Sequence, residues 1–255
     1  MLKIEKFVTA SPEQWEIIIE GMRNPLNSWD KSDSLFFDDA EGHACRISQG
    51  VGDLSLIEIG PNDHSLMERL DNAGTEHRKF MRMIPVWVTL SAPLYWWKEA
   101  DTYKVGTVRN SCSTMHKIQT KEFTLEDFSC EHLIKDCVGN NKDSIWYKDP
   151  PKNSPIECPL MFTPLDALRI TIGVLNTNRE AYLKTNDKKY WWQMIQLLPT
   201  SYNQKRTVML NYEVLHNIYF SRKDHKLNEW HTFCDWIEEL PYSEIIIGEK
   251  EATNA

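Results

Sequence analysis

The chain has 255 residues, 41% of them hydrophobic and 26% charged, with ten Trp, enough for one large domain or two small ones around a sizeable core. Its net charge of −8 argues against a dedicated DNA or RNA binder, which needs a positive surface, but a small anionic ligand needs only a few local cations. No apolar run approaches the ~20 residues that span a bilayer, no secretory signal opens the chain, and its six Cys contain no CxxC pair, so a cytoplasmic protein with reduced thiols and no membrane partner is expected.

In chain order, Ser11-Pro12-Glu13-Gln14 reads as a helix start. Ser11 caps, Pro12 suits the first helical position and Gln14 completes a capping box, giving a helix from Trp15 to Met22. Residues 25–42 read as loop, and Ala44–Gln49 and Leu54–Ile59 as short strands around Gly50-Val51-Gly52-Asp53. Ser65–Asn72 is a short helix ended by Gly74. Met83–Leu90, rich in β-branched and aromatic residues, predicts a buried strand. Pro93 then opens an aromatic helix through Tyr95, Trp96 and Trp97, followed by a polar loop as far as Thr114. Thr124 predicts a second capped helix to about Lys135, and the polar, Pro-rich residues 138–157 an exposed insertion. Thr163-Pro164-Leu165-Asp166 starts a long helical stretch interrupted near Asn176 and Asn186. Helices follow over about 187–197, 205–221 and 227–239. The fold class is therefore α+β, a single domain over 1–255 with a helix-rich C-terminal half.

Two segments carry candidate chemistry. On the helix expected over 205–221, Asn211 and Asn217 are six residues apart and Asn217 and Arg222 five, offsets of about 240° and 140°. Such groups point from different sides, as where a helix meets a flat ligand or another subunit. Alternatively, the two Asn satisfy backbone groups and Arg222 is a helix-end cation. The second segment, from Ala92-Pro93 to Thr114, leads from strand to helix to a loop dense in hydroxyls and amides. Backbone N–H groups of such a loop can cradle a phosphate, with Lys98, Lys104 and Arg109 nearby. By itself the segment reads first as a solvated loop with ordinary turn residues. The spacing of Cys130, His132 and Cys137 fits no common zinc motif, and no metal is expected.

Leu198-Pro199, eleven residues, Asn211, then Asn217 and Arg222 resembles the C-terminal signature of the flavin-dependent thymidylate synthases, the ThyX family. From Ala92-Pro93 the chain also lies without a gap on that family's Arg-His-Arg motif. Thr102, Tyr103 and Lys104 fall on Arg-His-Arg and Thr107 on the following Ser; Arg109 and Asn110 fall on Asn-Glu, Cys112 on the next Ser, and Lys98 and Glu99 on an Arg-Gln pair. Ala44-Cys45-Arg46-Ile47-Ser48 resembles the family's N-terminal strand, and Gly74 to Phe80 its His-containing turn.

Over about residues 40–235 the resemblance implies a ThyX-like mixed α/β core with long helices, assembled as a homotetramer. It implies FAD bound through His77, Tyr103, Lys104, Thr107, Asn211 and Asn217. A nucleotide substrate would be bound by Lys98, Glu99, Asn110, Cys112 and Arg222, with Arg222 also stabilising charge on the pyrimidine during reaction. The implied activity is a flavin-dependent methyltransferase that converts dUMP to dTMP with methylenetetrahydrofolate and NADPH as co-substrates. The chemistry departs from the frame at Thr102, Thr114 and Ile195, where the family has Arg. Those losses keep two other readings open: a noncatalytic flavin- or nucleotide-binding protein, and a flavoenzyme acting on a different pyrimidine nucleotide.

Overall fold

The computed structural model describes residues 1–36, 57–135 and 163–248. The predicted strand Ala44–Gln49, most of Leu54–Ile59 and the 138–157 insertion lie outside them. The described residues form two compact units. The larger takes 2–36, 57–92, 96–111 and 205–248; the smaller takes Met1, 93–95, 112–135 and 163–204.

The elements of the larger unit begin with β1 (Lys3–Val8) and α1 (Pro12–Arg23). The Ser11–Gln14 capping box forms as the sequence implies, with Ser11 Oγ accepting from the Gln14 N–H at 3.4 Å and Gln14 Oε1 from the Ser11 N–H at 2.9 Å. Two-residue strands β2 (Leu35–Phe36) and β3 (Ile57–Glu58) pair antiparallel, so a strand sits where loop was expected. Next come α2 (Pro61–Asn72), β4 (Pro85–Pro93), α3 (Leu94–Ala100) and β5 (Val108–Ser111).

The smaller unit contributes α4 (Pro164–Thr185) and α5 (Lys188–Leu197). Its core gathers Ile118, Phe123, Phe128, Leu168, Leu175 and Met194. The Thr124 capping box forms, but it closes only a single 3-10 turn, Leu125–Asp127, and not a helix to Lys135. Phe128 turns extended, at φ −128° and ψ 139°, and bridges to Tyr202, because its ring packs against Phe123 and Tyr202. α4 runs unbroken through Asn176. That side chain both accepts from the Phe123 N–H and donates to the Phe123 carbonyl, at 2.9 Å each, so it has no need to cap. Asn186 does end the helix, at φ +52°.

The largest correction concerns 205–221. The segment is a strand, β6 (Asn203–Asn211), followed by α6 (Tyr212–Arg222). Val208 and Leu210 are buried while Thr207 is exposed and Met209 only half-buried, the two-residue period of a strand. Asn211 is therefore the N-cap of α6 and not a residue within it. After α6 come α7 (Asn228–Glu238) and α8 (Glu244–Ile247).

The sheet order is β1-β4-β6-β5, with β1 antiparallel to β4 and β5 antiparallel to β6. β1 and β5 were not foreseen: pairing with strands distant in sequence defines them. The architecture is mixed α+β. Among the described residues no helix is long and apolar enough to cross a membrane.

Candidate functional site

The order of the sheet brings the end of α3 beside the end of α6, and the site is built there, within the larger unit. α3 buries Trp96 and Trp97 and presents a half-buried Glu99 three residues beyond Trp96. Trp96 packs against Trp97, Trp230 and Phe233 with ring centroids 4.8–5.6 Å apart, which fixes α7 against α3.

Arg222, the last residue of α6, reaches into this aromatic edge. Its Nε donates to the Tyr103 hydroxyl and its Nη1 to Glu99 Oε2, both at 3.0 Å. The guanidinium lies 4.9 Å from the Trp230 ring centroid and 5.7 Å from that of Tyr103. Glu99 Oε2 also accepts from Trp230 Nε1 at 3.0 Å and lies 3.3 Å from His225 Nε2. Arg222 and Glu99 keep 20% and 36% of their side-chain surface, so the pair is accessible from solvent at its rim. The nearby cavity, lined by Trp96, Ala100, Arg109, Leu210 and Trp230 among others, holds about 20 Å³, room for about one water.

The loop after α3 is held by Arg109. Its Nη2 donates to the Ala100 and Tyr103 carbonyls at 2.8 and 2.9 Å and its Nη1 to Thr107 Oγ1 at 2.9 Å. Burial lowers the Arg109 pKa, and Asp101, 3.6 Å away, opposes the shift. Arg206 forks onto Asp101 at 2.9 and 3.1 Å and stacks on Trp97 at 4.3 Å. Both arginines are thus engaged in holding this loop and helix end. Gly106, at φ +73°, completes the turn. A Cβ there would come within 2.9 Å of Asn211 Nδ2.

A second polar group surrounds the middle of α6. His216 Nδ1 donates to the Ile246 carbonyl at 2.8 Å, which leaves Nε2 to accept from Arg78 Nη1 at 2.7 Å. Burial, opposed by Asp71, lowers the His216 pKa, in keeping with the neutral ring. Burial likewise raises Asp71, with His216 and Arg78 opposing. Arg78 Nη2 reaches Asn217 Oδ1 at 3.5 Å, and Glu213 takes a forked pair from Arg82.

Of the residues singled out from sequence, Glu99, Tyr103 and Arg222 meet directly, although 119 and 123 positions separate the two acceptors from Arg222. Thr107 and Asn211 adjoin that cluster through Arg109 and Gly106. Asn217 is instead with Arg78, whose neighbour His77 is exposed. Lys98 and Lys104 are exposed and form no ion pair among the described residues. Asn110 is exposed on β5 opposite Thr207, and Cys112 is exposed in the smaller unit. Sequence reasoning missed Trp230, His225, Asp101 and Arg78. Only the closeness of His225 and Trp230 to the α6 end, three and eight residues beyond Arg222, hinted at them. Among the described residues no cluster of three or more metal-ligating side chains occurs.

The fold is mixed α+β, and comparison with solved structures makes it specific. A crystal structure of thymidylate synthase X from Helicobacter pylori with FAD and dUMP covers 96% of this chain and 94% of its own, at TM-score 0.56 and 13% identity. A second structure of that protein complexed with FAD and dUMP gives 0.54 at 13% identity, covering 96% and 95%. A UMP/dUMP methylase from Streptomyces cacaoi bound with 5-Br dUMP covers 94% and 88%, at 0.48 and 12%. No protein-family model and no curated protein sequence matches the chain. The chain thus has a ThyX-like fold, far diverged in sequence.

Proposed function

We propose that this chain is a ThyX-like protein that binds a pyrimidine nucleotide against Arg222 and FAD beside Asn217. The observation that carries the reading is the meeting of Arg222 with Glu99 and Tyr103. The resemblance implies Glu99 and Arg222 for the nucleotide and Tyr103 for the flavin beside it, from segments far apart in the chain. Arg222 is oriented for such a role: Tyr103 and the Trp230 ring fix its guanidinium while one edge faces the rim. It donates to a pyrimidine carbonyl and neutralises negative charge that builds there. Lys98 and Lys104, exposed and outside any ion pair among the described residues, are cations available to a phosphate.

The residues present fit a flavin. Asn217, His77 and Lys104 are exposed polar groups open to its ring edge and phosphates, while Gly106 lets Asn211 lie close under the loop. When bound, FAD supplies the redox and one-carbon chemistry between methylenetetrahydrofolate, NADPH and dUMP that yields dTMP. The protein's part is to orient the base with Arg222 and to exclude water with the Trp96, Trp97 and Trp230 wall. The homotetramer implied by the resemblance, and a cytoplasmic setting, complete this reading.

A second reading is favoured by Arg109 and Arg206. Both are tied to protein partners, so the cations lost at Thr102 and Thr114 have no substitute there. The protein would then bind ligands without turning them over. The visible spectrum of the purified protein, titration calorimetry with deoxyuridylate, and rescue of a thymidine auxotroph separate the two. Flavin and nucleotide binding with rescue supports the synthase; binding without rescue supports the noncatalytic protein. A colourless protein that binds no deoxyuridylate overturns both.

A further inference from the structure

We propose that Glu99 gates the Arg222 pocket: its carboxylate holds the guanidinium in place of a ligand, and the incoming base must displace it. The inference rests on the pyrimidine-site reading of Arg222 given above. It concerns a departure from the family frame, where Glu99 falls on Gln, and what that departure does to binding.

The geometry makes the exchange easy on both sides. Glu99 Oε2 is approached by three groups: Arg222 Nη1 at 3.0 Å, Trp230 Nε1 at 3.0 Å and His225 Nε2 at 3.3 Å. One carboxylate oxygen serves about two donors well. When Arg222 leaves, Trp230 and His225 remain, and the carboxylate is not stranded. Its 36% exposure lets water complete the shell. Arg222, once released, keeps its Nε bond to Tyr103 and its place over Trp230, so it stays aimed. Glu99 is thus separable from the rest of the pocket: it competes for Arg222 without being needed to position it.

A carboxylate is a stronger partner for a guanidinium than a neutral carbonyl. The parent protein therefore binds a neutral pyrimidine ring more weakly than the same pocket with an uncharged residue at position 99. Glutamine keeps the acceptor for Trp230 and removes the charge. In Glu99→Gln, deoxyuridylate affinity measured by titration calorimetry should rise at least about fivefold. Arg222 should also become more reactive toward phenylglyoxal, read by peptide mapping of the folded protein. Unchanged or weaker binding together with unchanged Arg222 labelling overturns the gate. If neither protein binds deoxyuridylate, the nucleotide reading fails, and the labelling alone decides whether Glu99 screens Arg222. Should Glu99→Gln not fold, as judged by its thermal transition, Glu99→Ala gives the same two readouts with the same expected directions.

Discussion

A carboxylate buried as fully as Asp63 keeps its charge only where donors surround it. Burial raises its pKa, but hydroxyls of Ser34 and Ser32, Arg23 Nε at 2.5 Å and the Asp33 N–H together hold it below the usual value. These bonds tie residues 32–34 to the first turn of α2. Because the folded pKa is lower than the unfolded one, the stabilisation is present above about pH 4 and drains away as pH falls through the folded value. Asp63→Asn should cost about 3–5 kcal/mol at neutral pH by leaving Arg23 buried without its counter-ion. The gap in thermal midpoint between parent and variant should shrink in acid; a gap independent of pH from 7 to 3 counts against this account. Asn211 separates two roles at a single position. Its Oδ1 accepts from the Val214 N–H at 3.0 Å, so Asn211→Ala should lose about 1 kcal/mol of stability, whereas Asn211→Asp should keep it. If the Asn211 amide also holds flavin, the stable Asp variant is the one that comes out pale. Asn217, exposed and with its side chain bonded among the described residues only to Arg78 at 3.5 Å, should tolerate Asn217→Ala within about 0.5 kcal/mol while losing flavin. A folded, yellow Asn217→Ala protein removes Asn217 from the flavin site.

The turn at Gly106 joins α3, β5 and α6, and it is where an element depends on a single backbone conformation. At φ +73° any L side chain is strained, and an added Cβ would also press to 2.9 Å from Asn211 Nδ2 and 3.1 Å from Val214 Cγ2. Gly106→Ala should therefore lose about 1–3 kcal/mol, read as a lower denaturant midpoint at unchanged slope. An unchanged midpoint would show the turn to be free to relax. This turn also marks how far the sequence could be read. Helix starts were legible because their chemistry is local: Ser11 with Gln14, and Thr163 with Asp166, each sit three residues apart. The boundary between β6 and α6 was not, because Val208 and Leu210 suit either a helix or a strand until β5 and β4 pair alongside. Asn176 looked like a helix breaker, but its amide is spent on Phe123, 53 residues away. In the candidate site, Arg222, Tyr103 and Glu99 were legible because a known frame placed them. Trp230 and His225 were not, since their value lies in ring packing that no spacing announces.

At the scale of the whole molecule, the question is what covers the apolar side chains left on α4 and α5. α4 buries only Leu165, Leu168 and Leu175 along 22 residues. Ile170 and Val174 remain 52% and 40% exposed, one turn apart on the same helix, and Trp192 on α5 is 43% exposed. Single exposed apolar residues are ordinary on a monomer, but an exposed pair at helical spacing is the surface an assembling subunit presents. The homotetramer proposed above would supply that cover from a second copy. Light scattering at micromolar concentration should give a mass near four chains. The double substitution Ile170→Glu with Val174→Glu should shift it toward smaller species. Since both side chains face solvent within one chain, the separated subunit should keep its fold by circular dichroism. If flavin sits between subunits, as the resemblance implies, the dissociated variant should also lose its yellow colour even though Asn211, Asn217 and Arg222 are untouched. A parent protein that is monomeric, or a double variant that keeps both mass and colour, would show that this helix face serves no assembly and that the cofactor site is complete within one chain.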